Sequence, residues 1–258
     1  MAISDDAKRN RDRLFGEHPS SLAETDPGLI EYFDNFAYGE TLADAAALDE
    51  TLDVRTRLLV RLGAALAAGA LGEFRVLAAA AIARGGVSPV ELKEVVYQGV
   101  AYAGMARAYD SLNAINEILT DAGVELPLPG QSACAPDTRL EYGKTVQAKI
   151  VGGAEAVQKR IDDAPADQAH FQRYLAANCF GDTVGRGGLD MPTRELITFA
   201  MLAALGGADN QVKGHVAGNL AVGNTRARLL AVLTVLVPFI GYPRTLNALA
   251  AVDAVTAD

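Results

Sequence analysis

Tryptophan is absent from the 258 residues, histidine occurs only three times and cysteine twice. Cys134 and Cys179 are too far apart and too few to form a disulfide framework or a zinc pattern, so nothing implies an oxidising compartment. Three scattered histidines without paired carboxylate spacing give no metal site, and no phosphate loop or dinucleotide fingerprint is present. No cofactor is therefore expected. Basic residues are in deficit, 23 against 32 acidic ones for a formal charge of −9, which argues against a nucleic-acid surface. Long apolar runs are lacking too. The longest, LLAVLTVLVPFIGYP between Arg228 and Arg244, contains Pro238 and falls short of the roughly 20 residues a spanning helix needs. The charged start, MAISDDAKRNRDRLFG, has no apolar core of a signal peptide. The expectation is a cytoplasmic protein with no membrane partner.

What is present is a globular mix, 50% hydrophobic and 21% charged, long enough to bury a substantial core. Apolar residues recur at helical spacing, and alternating strand patterns bounded by Asn-Gly or Asp-Gly turns are missing. The periodicity predicts an all-α chain, with helices at about 4–16, 27–38, 53–69, 73–84, 88–103 and 105–121. A second set falls at about 138–150, 153–162, 167–180, 190–206, 209–222, 225–237 and 243–256. Ser88-Pro89-Val90-Glu91 reads as a capped helix start, and Asp53 and Asp190 as N-caps. Gly85-Gly86 and Gly223-Asn224 read as stops.

The chain also repeats itself. TLDVRTRLLVRLGAALAAG, from Thr51, parallels GLDMPTRELITFAMLAALGG, from Gly188, at an offset of 137. The same offset pairs Gly69 with Gly206, Gly86 with Gly223, Leu92 with Leu229, Gly104 with Gly241 and Arg107 with Arg244. Upstream, YFDNFAYGET from Tyr32 resembles YLAANCFGDT from Tyr174. Compositional likeness alone does not keep glycine and arginine in register over such a span. The expected organisation is a first repeat over 1–122, a Pro- and Gly-rich linker over 123–136, and a second repeat over 137–258.

Chemistry-bearing residues are unevenly shared. Glu195 and His215 stand in the second repeat where the first has Leu58 and Ala78, so the first repeat reads as a degenerate site. At 1.5 Å per residue the two lie at heights differing by roughly 4–5 Å on an antiparallel hairpin, close enough to share a pocket. A carboxylate beside an imidazole is suited to moving a proton near neutral pH. Arg186, in Gly-Arg-Gly-Gly-Leu-Asp, is a candidate for a substrate carboxylate. Tyr102 and Phe239 are equivalent residues, and with Tyr174, Phe180 and Tyr242 they are candidate pocket walls. Arg57 and Arg194 recur in both repeats and read as structural ion-pair formers. Asn219 and Asn224 are possible ligand donors, although turn and cap chemistry suits Asn224 better. Cys179 reads as a buried small apolar residue, and His18 and His170 as surface residues.

Both repeats resemble the carboxymuconolactone decarboxylase family, also described as the AhpD-like (alkylhydroperoxidase D) superfamily. The second repeat carries the fuller signature, GLDMPTRELITFAMLAALGG, GHVAGNLAVGNTR and PFIGYPRTLNALAAV; the first carries TLDVRTRLLVRLGAAL and GGVSPVELKEVVYQGVAYAGMARAYDSLNAI. The resemblance implies an AhpD-like helical fold in two tandem repeats and a homo-oligomer, a trimer of two-repeat chains being favoured over a dimer. The family's peroxidases use a Cys-x-x-Cys pair. The matching segments here, Gly207-Ala208-Asp209-Asn210 and Ala70-Leu71-Gly72-Glu73, hold no cysteine, which argues against a two-thiol peroxidase. The expected function is a cofactor-independent lyase that decarboxylates a small carboxylated lactone or oxo-acid, with Glu195 and His215 as the catalytic pair. Other proton-transfer chemistry in the same pocket, isomerisation or cyclisation, and non-catalytic small-molecule binding are the alternatives.

Overall fold

In a computed structural model, residues 2–16 and 20–257 are described; His18 lies outside them. Among the described residues every regular element is helical. The helix starts follow from local chemistry. Asp53 accepts a hydrogen bond from the Thr56 amide and opens a helix over Val54–Ala68; Asp190 does the same through Thr193 for Met191–Leu205. Ser88 and Glu91 form a reciprocal capping box with Pro89 in the first turn.

The first half of the chain contains α1 (Asp5–Phe15), α2 (Pro27–Asp34), α3 (Thr41–Leu48), α4 (Val54–Ala68), α5 (Leu71–Ala83), α6 (Pro89–Ala103) and α7 (Met105–Asp121). The second contains α8 (Arg139–Val151), α9 (Ala154–Asp162), α10 (Ala169–Tyr174), α11 (Met191–Leu205), α12 (Asp209–Ala221), α13 (Arg226–Ile240) and α14 (Tyr242–Thr256). Two stretches are wound as π-helix, Asn35–Glu40 and Leu175–Val184, at equivalent places in the two repeats. The sequence reading ends a helix near 38, whereas the chain stays helical through the π stretch and α3 to Leu48. Between α7 and α8 there is no helix, and the Gln131 carbonyl accepts from the Gly187 amide at 2.8 Å, tying this segment to the loop before α11.

The repeats are interlocked rather than side by side. Helix α4 packs along α11 at the centre. Gly63 permits the approach, since a Cβ there would meet Ile197 Cγ2 at 3.0 Å and Met201 Cγ at 3.3 Å. Helix α6 of the first repeat packs on both α4 and α11, and α13 of the second on both α11 and α4. One apolar core results, in which Leu58, Phe74 and Leu92 join Phe199, Leu229 and Leu236. The crossing has a functional consequence. The end of α6 reaches the hairpin of α11 and α12, and the end of α13 reaches the hairpin of α4 and α5. Each hairpin cavity is thus closed by the other repeat.

A buried polar network pins α6 to α11. Arg194, 1% exposed, donates to Glu94 Oε2 at 2.9 Å and to Gln98 Oε1 at 3.0 Å; Gln98 donates to the Arg194 carbonyl and to Thr198 Oγ1. The expected structural ion pair is therefore present for Arg194. It is not repeated at Arg57, which donates to the Leu52 carbonyl at 3.0 Å, because the position equivalent to Glu94 is Ala231. No helix among the described residues is long and apolar enough to cross a membrane.

Candidate active site

Glu195 sits on α11 with its side chain wholly buried. Its Oε2 lies 2.8 Å from His215 Nδ1 on the antiparallel α12. A carboxylate accepts, so Nδ1 carries the proton and Nε2 is the ring nitrogen left for other partners. The contact needs Gly218, one turn beyond His215: a Cβ there would stand 2.7 Å from Glu195 Oε2 and 2.7 Å from Ile150. Glu195 Oε1 has no donor among the described residues. Most buried side-chain polar atoms are paired, so the unpaired oxygen is an exception that calls for an explanation.

Two asparagines hold the hairpin in register. Asn219 donates from Nδ2 to the Glu195 carbonyl at 3.1 Å and to the His215 carbonyl at 2.7 Å. Asn224 donates to Asn219 Oδ1 and to the Pro192 carbonyl, both at 2.9 Å. Both act as backbone clamps; neither is a ligand donor.

His215 lines a cavity of about 940 Å³. The first repeat contributes Ala101 and Tyr102 to it, the second Cys179, Phe180, Leu202 and Arg160 among others. The Tyr102 ring meets the His215 imidazole edge-on, with centroids 5.5 Å apart. Burial raises the Tyr102 phenol well above its usual value, and the neighbouring Cys179 and Glu195 push the same way, so it stays a neutral hydroxyl; its bond to Thr198 opposes the shift. Cys179 Sγ lies 3.9 Å from that hydroxyl, and burial pushes the thiol up to about 11. Such a thiol is almost wholly protonated near neutral pH and a poor nucleophile, in keeping with the reading of Cys179 as a buried small residue. Iodoacetamide should therefore leave Cys179 unmodified at pH 7.5 in the folded protein, with alkylation accelerating only as pH approaches about 11. Peptide mapping by mass checks this, and rapid labelling at pH 7.5 would overturn it.

Of the residues singled out from sequence, the fold brings Glu195, His215, Tyr102 and Phe180 together. It places the other four elsewhere. Arg186 donates from Nε to both Glu94 oxygens at 3.0 Å, stacks 4.8 Å over the Tyr97 ring and lines a separate cleft. Its charge is spent inside the protein, so the expectation that it meets substrate in the His215 cavity is corrected. Tyr174 is exposed in a surface cluster with His170 and Phe171, and Tyr242 is exposed along an apolar groove between α3, α13 and α14. Phe239 walls the hairpin cavity of the first repeat instead, because α13 crosses to that side. Sequence reasoning missed Arg160, the one lysine or arginine among the described residues lining the His215 cavity. It lies on the exposed face of α9 beside Lys159, and nothing in its local pattern distinguishes it. No cluster of potential metal ligands occurs among the described residues.

None of the curated proteins compared with the chain matches it. The model of the carboxymuconolactone decarboxylase family matches it twice, over residues 31–117 and 169–254. With both matches falling on the interlocked helical repeats, the chain belongs to the carboxymuconolactone decarboxylase family and has its AhpD-like helical fold in tandem.

Proposed function

We propose that the protein is a lyase that decarboxylates a small carboxylated lactone or conjugated oxo-acid in the His215 cavity by proton transfer. The observation that carries this reading is the wholly buried Glu195 carboxylate, bonded to one side-chain partner, His215, at the wall of a cavity.

Decarboxylation breaks the carbon–carbon bond to the carboxylate, and the electron pair moves into the conjugated carbonyl as an enolate. His215, as imidazolium, then delivers its Nε2 proton to carbon, while Glu195 holds Nδ1–H and balances the charge. The neutral imidazole regains a proton from water. Tyr102, a neutral hydroxyl on the same wall, adds a dipole where the enolate develops. Arg160 takes the carboxylate-steering role that Arg186 cannot perform, being already engaged. The test is turnover of a panel of carboxylated lactones and oxo-acids with product mass as readout. Loss of the mass of CO2 supports the reading, and a product of unchanged mass supports isomerisation or cyclisation in its place.

The same reading includes a homo-oligomer. Tyr109, Phe171, Tyr174, Tyr242 and Leu246 are each more than half exposed on a single chain, more large apolar surface than a monomer usually leaves uncovered. Light scattering should give a mass near three times 27.0 kDa; a monomer mass would contradict the assembly, and a dimer would reject the trimer.

A further inference from the structure

The first repeat has a cavity of its own, of about 240 Å³, at the place equivalent to the His215 cavity. The correspondence is residue by residue: Ala65, Ala68, Ala70 and Leu77 line it where Leu202, Leu205, Gly207 and Gly214 line the other. Phe239 closes it as Tyr102 closes its counterpart. In place of Glu195 and His215 stand the apolar Leu58 and Ala78, which made this copy look degenerate. The polar groups have moved rather than vanished. Arg61 and Glu73 line this cavity, at positions where the second repeat has Thr198 and Asn210. The cation is now on the first helix of the hairpin and the acid on the second, the reverse of Glu195 and His215.

Arg61 is 3% exposed, and its Nε and Nη2 have no hydrogen-bond partner among the described residues. Its guanidinium stacks 4.1 Å over Phe239 and 5.5 Å from the Tyr38 centroid, but ring faces do not neutralise a buried charge. Among the described residues no ion pair joins it to Glu73, although both face the cavity. Glu73 acts on Arg61 only through space, so the buried guanidinium lacks the hydrogen-bonding acceptor that a ligand carboxylate would supply. The shape of the anion follows from the walls. Phe33 and Phe239 meet edge-to-face, with centroids 5.7 Å apart, and form an aromatic flank that suits a flat apolar body. Glu73 repels a second negative group, so a monocarboxylate fits better than a dicarboxylate.

We propose that the Arg61 cavity of the first repeat is a second small-molecule site, which binds a planar aromatic or conjugated monocarboxylate with its carboxylate on the Arg61 guanidinium and its ring against the flank that Phe33 and Phe239 form together. This site does not depend on the chemistry proposed for His215. It gives the first repeat a binding role that its missing Glu/His pair had seemed to exclude.

The test is calorimetric titration of the full chain with 4-bromobenzoate, alongside a crystal of that complex read by bromine anomalous scattering. The bromine is expected in the Arg61 cavity, beside Phe33 and Phe239. Arg61→Met should weaken binding at this site by about tenfold or more, the loss of a charge-assisted hydrogen bond. The neutral 4-bromobenzamide should bind the wild-type chain more weakly by a similar factor, and terephthalate should bind less well than 4-bromobenzoate. Without carboxylate, Arg61→Met should melt at or above the wild-type temperature, because it removes a buried charge whose Nε and Nη2 are bonded to nothing among the described residues. The proposal is overturned by bromine only in the His215 cavity, by equal affinity for the amide, or by undiminished binding in Arg61→Met. A variant that melts far below wild type would overturn it too, marking Arg61 as a structural residue.

Discussion

Replacing His215 by Gln should lower kcat for decarboxylation by about 10²–10⁴, the usual contribution of a positioned general acid. The imidazole is held at Nδ1 by Glu195 Oε2 at 2.8 Å, and no other titratable group among the described residues is both bonded to that carboxylate and in the cavity wall. Gln fills similar space but has no proton of suitable acidity. Glu195→Gln should cost less. It keeps an oxygen to accept from Nδ1–H but loses the charge that stabilises the imidazolium. The double variant should be little worse than His215→Gln alone, since the two residues act as one unit. Kinetics on a responsive substrate check this, with unchanged melting temperature as control. A His215→Gln enzyme within a few-fold of wild type would remove the imidazole from the chemistry.

The second large effect is on stability. Glu94→Ala should destabilise the fold by about 3–5 kcal/mol. Glu94 holds Arg194 at 2.9 Å and Arg186 at 3.0 Å, and the Glu94 and Arg194 side chains are each only 1% exposed. Without the carboxylate, Arg194 stays buried between the repeats with no counter-charge, whereas Arg186, 18% exposed, can turn towards water. Most of the loss is therefore assigned to the stranded Arg194. Glu94→Leu combined with Arg194→Met should be more stable than Glu94→Ala, because it removes both charges. Urea unfolding gives the values. A cost for Glu94→Ala below about 1 kcal/mol would show that the network is not what pins α6 to α11.

The helices and the duplication were readable because they depend on local pattern. Aspartate caps, the Ser88 box and 3.6-residue periodicity set where α4, α6 and α11 begin. The helix expected to end near 38 runs on to Leu48. In the fold Gly39 lies within a π stretch against α1, and the helix continues past it. Its equivalent, Gly181, shows what such a glycine does in mid-helix: a Cβ there would come within 2.4 Å of the Arg139 carbonyl on α8.

The candidate site was readable in part, for a similar reason. The Glu195 and His215 pair stood out because a duplicated scaffold supplies its own comparison, and hairpin geometry sufficed to bring the two together. What one repeat cannot reveal is that its cavity is closed by the other. Hence Tyr102, from the first repeat, belongs with His215, while Phe239, forty residues beyond Phe199 in the same repeat as His215, does not. Arg186 failed because the carboxylate that captures it, Glu94, lies 92 positions away on a helix of the other repeat. Arg61 went unread because a lone arginine in an apolar helix signals nothing until its lack of a partner is visible.

The most direct test of the central claim, that Glu195 and His215 move a proton at the wall of this cavity, is decarboxylation of a carboxylated lactone in D2O followed by mass spectrometry. The wild-type enzyme should release CO2 and leave one deuteron on the carbon that carried it, and His215→Gln should do neither at a comparable rate. Product formed at equal rate by the variant, or a wild-type product that retains its carboxylate, would contradict the account.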